Sequence, residues 1–177
     1  MSQKAWEAAE KSNLPKFYLN LKSYKKSLLS NSNPYTPAVN LVFALDEALK
    51  MMREEGLDNI FLRHNKHKLA MSNAVKALNL KLFAEEKYLS PSITAIKTGE
   101  LDAEKFRKII KNKFDILLAG GQDHLKGKIF RVGHLGYVHD RDIITVVSAI
   151  SNTLVSLCKI TAQKAGEELV VTSRYLK

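Results

Sequence analysis

Cysteine is almost missing from this sequence, since Cys158 is the only one among 177 residues. A disulfide framework and a cysteine-based zinc site are therefore excluded, and we expect a reducing compartment. No apolar run reaches the roughly 18 residues that a bilayer-spanning helix needs, and the first residues are polar rather than those of a signal peptide. The sequence therefore predicts a soluble, cytoplasmic protein without a membrane partner.

Proline and glycine are also sparse, with four and eight residues. No low-complexity stretch, internal repeat or Pro/Gly-rich linker divides the chain. With 45% of its residues apolar, a chain of this length can bury the core of one ordinary domain. We therefore predict a single domain, 1–177.

Positive charge, by contrast, is in excess: 28 Lys and Arg against 18 Asp and Glu give a net charge of +10. Lysines cluster in LKSYKKSLL and in RHNKHKLA, as in some RNA-binding surfaces. Yet Lys22, Lys25 and Lys26 are spaced as the solvated face of an amphipathic helix, and no signature of a nucleic-acid-binding module accompanies them. We interpret the charge as serving solubility and predict no nucleic-acid partner. A basic nucleic-acid-binding domain stays the third alternative.

Apolar periodicity predicts an α+β fold, in which long helices precede a β-β-α-β-β-α layer with helices on one face of the sheet. A helical lead-in, 1–35, comes before two long antiparallel helices in 36–78, which break at Gly56. Thr36, before a proline, is predicted to cap the first of them. Asp58 or Asn59 is predicted to cap the second.

The sheet layer is predicted in 79–157, and the tail, 158–177, is assigned a last short helix. Alternating β-branched and apolar residues predict strands at LKLF, SITAIK, FDILLA and KIFRVG. Amphipathic periodicity predicts helices at 101–113 and 140–157.

Histidines supply the first candidate chemistry. His64 and His67 are spaced to share a helix face and a metal ion, but no nearby Asp, Glu or Cys completes a ligand set. We therefore predict a solvated helix face and no metal site. His124, His134 and His139 flank glycine turns, and without a partner carboxylate or nucleophile they are interpreted as loop residues.

Lys4 follows Ser2 and Gln3, which raises the possibility of a lysine that holds a cofactor aldehyde as a Schiff base. Such a lysine needs a desolvated pocket, and the start of a chain's first helix is an exposed place. We therefore assign no catalytic residue to this chain.

Arg131 lies in the glycine-bracketed segment AGGQDHLKGKIFRVGHLG, 119–136. An arginine within an Ile-Phe-Arg-Val strand is costly unless an anion meets it, and its planar fork suits a carboxylate. The residues alone leave two interpretations open in equal measure: an anion-binding site, and an arginine on the solvent face of an edge strand.

The segment GGQDHLKGKIFRVGHLG, together with NPYTPAVNLVFALDEALKMMREEGLDNIFLRH, resembles the C-terminal part of class V aminotransferases. These are pyridoxal-phosphate enzymes of fold type I, the group of alanine/serine–glyoxylate aminotransferases that also holds proteins labelled as the small subunit of soluble hydrogenase. The similarity runs from about Ser2 to about Leu157. It implies the small domain of these transferases, with the N-terminal cofactor domain and its Schiff-base lysine absent, so that Lys4 is not the cofactor lysine. The chain alone is then expected to be inactive.

Two positions carry over from the resemblance. Arg131 matches the family arginine that binds the substrate α-carboxylate, and Thr36 matches a threonine that reaches the cofactor phosphate of the neighbouring subunit. An aromatic residue often seen just upstream is not matched, because Asn33 stands there and Tyr35 is displaced. The resemblance implies pyridoxal phosphate, a homodimer, and amino-group transfer between a small amino acid and a 2-oxo acid such as glyoxylate or pyruvate. A non-catalytic interaction subunit, like the soluble hydrogenase small subunit, is the alternative.

Overall fold

A computed structural model of the protein describes residues 1–176. The chain divides into two compact units, one ending at Glu54 and the other starting at Glu55. The first unit holds the helices α1 (Gln3–Lys11) and α2 (Leu21–Leu28) and all but the last residue of α3 (Val39–Glu55). The second unit holds a four-stranded sheet and four further helices.

Helix α3 begins later than the sequence suggests. The carbonyl of Ala38 accepts the first intrahelical hydrogen bonds, including one from the Val42 amide at 3.1 Å, so Ala38 is the N-cap. The prediction that Thr36 caps this helix is therefore wrong, because Pro37 and Ala38 still precede the first turn. The predicted break at Gly56 is confirmed: this residue has φ +83°, a conformation that favours glycine, and α4 (Leu57–Ala77) starts directly after it. Gly56 occupies the cap position that was predicted for Asp58 or Asn59.

The sheet contains β1 (Lys81–Leu82), β2 (Ile93–Lys97), β3 (Ala119–Gly120) and β4 (Ile129–Gly133). Its order is β1-β2-β4-β3, and all neighbouring strands are antiparallel. The strand predicted at FDILLA is reduced to β3, because Phe114 is still helical and Asp115 adopts a left-handed conformation with φ +54°.

Side chains alternate between the two faces of β2 and β4. Ile96 pairs with Phe130, and Thr94 with Val132, and all four side chains are buried. Arg131 lies between Phe130 and Val132 and therefore points to the opposite face.

The buried face of the sheet packs against α5 (Ala103–Phe114) and α4, and these helices pack in turn with α6 (Asp140–Ser156) and α7 (Ala162–Arg174). The Asp102 carboxylate caps α5 by accepting from the Glu104 amide at 2.9 Å. The ring of Phe106 lies 5.2 Å from that of Phe130, which joins α5 to β4. One apolar cluster contains buried residues of α4, α5, α6 and the sheet, and Leu169 of α7 packs against it. The predicted α+β fold is confirmed.

Within the described residues, every helix is too short or too polar to cross a membrane.

Candidate functional site

Arg131 stands in the middle of β4, on the sheet face that the helices do not cover. Its side chain is half-buried, and its Nε donates a hydrogen bond to the carbonyl oxygen of Gly120 at 3.0 Å. Among residues 1–176, neither Nη1 nor Nη2 has a hydrogen-bond partner. One side of the guanidinium group is therefore fixed, while its two terminal nitrogens are available to an external acceptor.

The neighbours of Arg131 across the sheet are small. Ala95 of β2 and Ala119 of β3 occupy the same cross-strand row. Each therefore places only a methyl group beside the guanidinium stem, on the same face. This arrangement suits two parallel hydrogen bonds to a carboxylate, which is the geometry in which arginine binds carboxylates most strongly.

The loop that follows β4 is held by two consecutive residues of α4. The Nη1 of Arg63 donates to the carbonyl oxygens of Gly136 at 2.9 Å and Val138 at 3.0 Å. The Nε2 of His64 accepts from the Gly136 amide at 3.1 Å, and its Nδ1 donates to the Ile60 carbonyl at 2.8 Å. Gly136 is therefore bound through both of its backbone polar groups.

Arg63 is held in this position by an acidic partner. Its Nε and Nη2 atoms both donate to the Glu55 carboxylate, with Nη2 at 2.9 Å from Oε2. This hydrogen bonding lowers the pKa of the Glu55 carboxyl and raises the pKa of Arg63. Both groups therefore stay charged, and the loop contacts of Arg63 persist over a wide pH range.

A second group on α4 holds the start of α6. The Nε2 of His67 donates to Asp140 Oδ1 at 2.9 Å, and Lys66 donates to Asp140 Oδ2 at 2.8 Å. Burial lowers the pKa of His67 despite the carboxylate beside it, so the ring is neutral. Burial opposes ionisation of Asp140 as well, but the hydrogen bonds from Lys66 and His67 lower the pKa of its carboxyl.

The predicted solvated face at His64 and His67 is thus wrong. His64 is 8% exposed and His67 is 0% exposed. The physical reason is that their polar partners, Gly136 and Asp140, come from more than seventy residues further along the chain. Among residues 1–176, no group of three or more His, Cys, Asp or Glu side chains is arranged to hold a metal ion.

The other three histidines differ from one another. His134 lies in the loop after β4, as predicted above, and is fully buried, with Nε2 at 2.9 Å from the Thr94 hydroxyl. Burial lowers its pKa to about 4. His124 is exposed, and His139 is the N-cap of α6, where its amide donates to the Asp142 carboxylate at 2.8 Å.

Thr36 lies in the first unit, in the turn 33–37 before α3. Its side chain is exposed, and its hydroxyl makes no hydrogen bond within the described part of the chain. The neighbouring Tyr35 donates its hydroxyl to the Phe17 carbonyl at 3.0 Å, and its ring lies 4.8 Å from that of Tyr18. The Tyr35 side chain is therefore packed in an aromatic cluster, whereas the Thr36 hydroxyl is available to bind a ligand. Thr36 and Arg131 belong to different units.

Lys4 is exposed in the first turn of α1. The Ser2 hydroxyl caps this helix by accepting from the Ala5 amide at 3.3 Å. The Ser-Gln-Lys sequence therefore forms an ordinary helix start.

Sequence reasoning missed the contacts of Arg63 and Arg107. Arg63 holds the loop after β4, and Arg107 of α5 donates its Nε to the Leu118 carbonyl at 2.7 Å, next to β3. The only available signal was that each is an arginine among lysines, since arginine is the residue that bonds several acceptors at once.

No protein-family model matches this chain. It is 52% identical over 157 residues to the soluble hydrogenase 42 kDa subunit of Anabaena cylindrica, a match that covers 89% of this chain and 41% of that protein. It is 32% identical over 185 residues to a serine–glyoxylate aminotransferase of Methylorubrum extorquens, covering 100% of this chain and 45% of that protein.

A solved structure agrees with these relatives. The crystal structure of ureidoglycine–glyoxylate aminotransferase from Bacillus subtilis matches with a TM-score of 0.84 and 27% identity, and it covers 94% of this chain and 44% of that one. The chain therefore spans less than half the length of the relatives it matches.

Proposed function

We propose that this chain binds the substrate carboxylate in a longer enzyme. The chain belongs to the class V aminotransferases and has the fold of their small domain. That enzyme moves an amino group between a small amino acid and a 2-oxo acid such as glyoxylate or pyruvate. Glyoxylate as the amino-group acceptor is supported by the names of the relatives, which include serine–glyoxylate and ureidoglycine–glyoxylate aminotransferases. The observation that carries the proposal is the guanidinium of Arg131, fixed at Nε with both terminal nitrogens free.

In this proposal Arg131 acts by holding and orienting the substrate. Two parallel hydrogen bonds from Nη1 and Nη2 bind the carboxylate, and the bond from Nε to Gly120 fixes the plane in which the carboxylate lies. With the carboxylate held at two points, the α-amino group can move only by rotation about the bond that joins Cα to the carboxylate. Orientation of this kind lowers the entropic part of the barrier to reaction.

The cofactor of the proposed reaction is pyridoxal phosphate, which supplies the aldehyde that accepts the amino group. Thr36 fits a role in binding it, because its hydroxyl is exposed and makes no hydrogen bond to other described residues. We assign it to the phosphate of the neighbouring subunit in a homodimer. We place the cofactor lysine in the part of the relatives that this chain does not span, so that the chain alone is inactive.

The test is Arg131→Lys in the full-length enzyme. Lysine keeps the charge but loses the planar fork, so kcat/KM for amino acids should fall about tenfold or more, which corresponds to ~1.4 kcal/mol or more. Pyridoxal-phosphate affinity, measured by absorbance titration, should stay nearly unchanged. Slow turnover of amines that lack a carboxylate is the internal control and should also be unchanged. Equal losses for amino acids and for these amines would show that Arg131 supports the fold rather than the substrate.

A second candidate function is a non-catalytic interaction subunit. The identity of 52% to a protein called a soluble hydrogenase subunit favours it. The two candidates differ in one measurement, since an interaction subunit would show no turnover of any amino acid even when the full-length protein is saturated with pyridoxal phosphate.

A further inference from the structure

The orientation of Arg131 depends on a very short strand. Its Nε donates to the carbonyl of Gly120, and Gly120 belongs to β3, a strand of two residues at the edge of the sheet. Such a strand has few hydrogen bonds of its own: beyond its pairing with β4, the next amide, of Gly121, donates to Ile129 at 3.2 Å. The sheet alone therefore gives Gly120 little support.

Arg107 of α5 holds this strand from the side of the helices. Its Nε donates to the carbonyl of Leu118, the residue before β3, at 2.7 Å. Its Nη1 donates to the carboxylate of Glu104, one turn earlier on α5, also at 2.7 Å. The side chains of Arg107 and Glu104 are 23% and 41% exposed, so the pair is partly screened from solvent. The Arg107 guanidinium is held by the Leu118 carbonyl at Nε and by the Glu104 carboxylate at Nη1.

The Arg107–Glu104 pair also packs directly on Gly120. A Cβ atom added to Gly120 would lie 2.5 Å from Arg107 Nη1 and 2.7 Å from Glu104 Oε1, which are closer than van der Waals contact allows. Gly120 pairs with Phe130, whose side chain faces the helices, whereas Arg131 emerges on the other face. The backbone of Gly120 is thus enclosed between Arg107 on one side of the sheet and Arg131 on the other.

We propose that Arg107 is a positioning residue for Arg131: it fixes the Leu118–Gly120 backbone, and the carbonyl of Gly120 in turn sets the plane of the Arg131 guanidinium. This inference deepens the proposed function and rests on it for its biological purpose. The coupling itself is a property of the described contacts and is measurable without any ligand. Glu104 keeps Arg107 in the orientation that serves the Leu118 carbonyl.

The experiment follows the Nε–H signal of Arg131 in the ¹⁵N-labelled chain, assigned by its loss in Arg131→Lys. In Arg107→Met the Gly120 carbonyl loses its support, so the exchange of this hydrogen with solvent should accelerate about tenfold relative to the amide of Val132 in the same strand. Lys108→Met is the matched control, since Lys108 is exposed on the same helix. In Gly120→Ala the new methyl group displaces the side chains of Arg107 and Glu104, so this variant should have the same effect. Arg107→Lys, which keeps one donor, should restore part of the protection.

Unchanged exchange at Arg131 in both Arg107→Met and Gly120→Ala would overturn the inference. So would acceleration that affects the Val132 amide equally, because that result indicates general destabilisation. A titration with glycolate, a small unreactive carboxylate, tests the purpose separately. It should shift the Arg131 signal in the unmodified chain and bind about threefold or more weakly to Arg107→Met. If the unmodified chain shows no shift, the proposed function fails, while the exchange result still decides the coupling.

Discussion

At the scale of single residues, burial favours the uncharged form of two histidine side chains of this protein. His134 is fully buried against the Thr94 hydroxyl, and His67 is fully buried against Asp140. Burial lowers the pKa of both rings. Since an unfolded chain exposes these rings to water, acid favours the unfolded state by protonating them there.

His134 should therefore make the protein less stable in acid. Its pKa falls from 6.5 in the unfolded chain to about 4 in the folded one, so the stability it contributes is complete above pH 6.5 and is lost as the pH falls towards 4. At ~1.4 kcal/mol per unit, the free energy of unfolding should drop by about 2–3 kcal/mol over this range.

Urea unfolding between pH 7 and pH 4 measures this drop. His134→Gln, which keeps a hydrogen-bonding group for Thr94, should make the pH dependence less steep, and the remaining slope should combine the contributions of His67 and of the shifted carboxyls. His124→Gln is the control, because His124 is exposed. An equally steep pH dependence in His134→Gln would contradict the assignment of a neutral buried ring.

At the scale of elements, α7 carries a carboxyl in an apolar interface. Glu168 is fully buried where α7 packs on α4 and α6. Its Oε1 accepts from the Thr172 hydroxyl at 2.6 Å, and its Oε2 has no partner among residues 1–176. Burial raises the pKa of this carboxyl. The helix therefore docks with a proton on Glu168 or with a charge that is poorly solvated.

Glu168→Gln should stabilise the protein at neutral pH. A raised pKa means that the contribution of Glu168 is fully present below pH 4.5 and is lost as the pH rises through the folded value. Glutamine cannot ionise, so at pH 7 the free energy of unfolding should increase by about 1 kcal/mol, and the gain should vanish near pH 4. Glu167→Gln, on the exposed side of α7, should change little. A variant that is less stable at pH 7 than the unmodified chain would indicate that the ionised carboxylate is favourable in the fold.

The elements also show how far the sequence predicts this fold. Helices α5 and α6 and strands β2 and β4 have strong amphipathic or alternating patterns, and the structure places them close to the predicted positions. Strand β3 is hardly visible in the sequence, because its position depends on pairing with β4 and on a hydrogen bond from Arg107. Local periodicity contains no information about such partners.

The candidate site also contains residues that the sequence identifies and residues that it does not. Arg131 is detectable from the sequence because an arginine interrupts an apolar strand. The burial of His64 and His67 is not detectable, because these residues stand among lysines and their partners are distant in the chain. Sequence patterns show which residues are unusual, and the three-dimensional contacts show which of them are satisfied.

At the scale of the whole molecule, the first unit exposes much apolar surface. The α3 residues Leu41, Phe43 and Leu45 are 71%, 69% and 57% exposed, and Phe17 is 79% exposed. Exposed apolar side chains in this number are typical of a surface that other protein covers. This surface and the free hydroxyl of Thr36 belong to the same unit, which is consistent with the proposed homodimer.

Thr36→Ala tests the homodimer proposal in the full-length protein. If Thr36 donates to a phosphate held by the other subunit, its loss should weaken pyridoxal-phosphate binding by about 1–2 kcal/mol, the value of one hydrogen bond to a charged group. Thr36→Ser keeps the hydroxyl and should bind normally. Sedimentation should show a dimer for all three proteins. Unchanged cofactor affinity in a well-folded Thr36→Ala dimer would remove Thr36 from the site.

The double attachment of Gly136 has a consequence for how this loop can change in evolution. Its amide and its carbonyl are bound by His64 and Arg63, which are adjacent on one rigid helix. Positions 135 and 137 should tolerate changes of residue type, because the side chains of Leu135 and Tyr137 are 69% and 72% exposed. It does not tolerate changes of length, because one inserted residue would move Gly136 away from both partners. We expect natural variants of this protein to differ freely at positions 135 and 137 while keeping the number of residues from β4 to α6 constant.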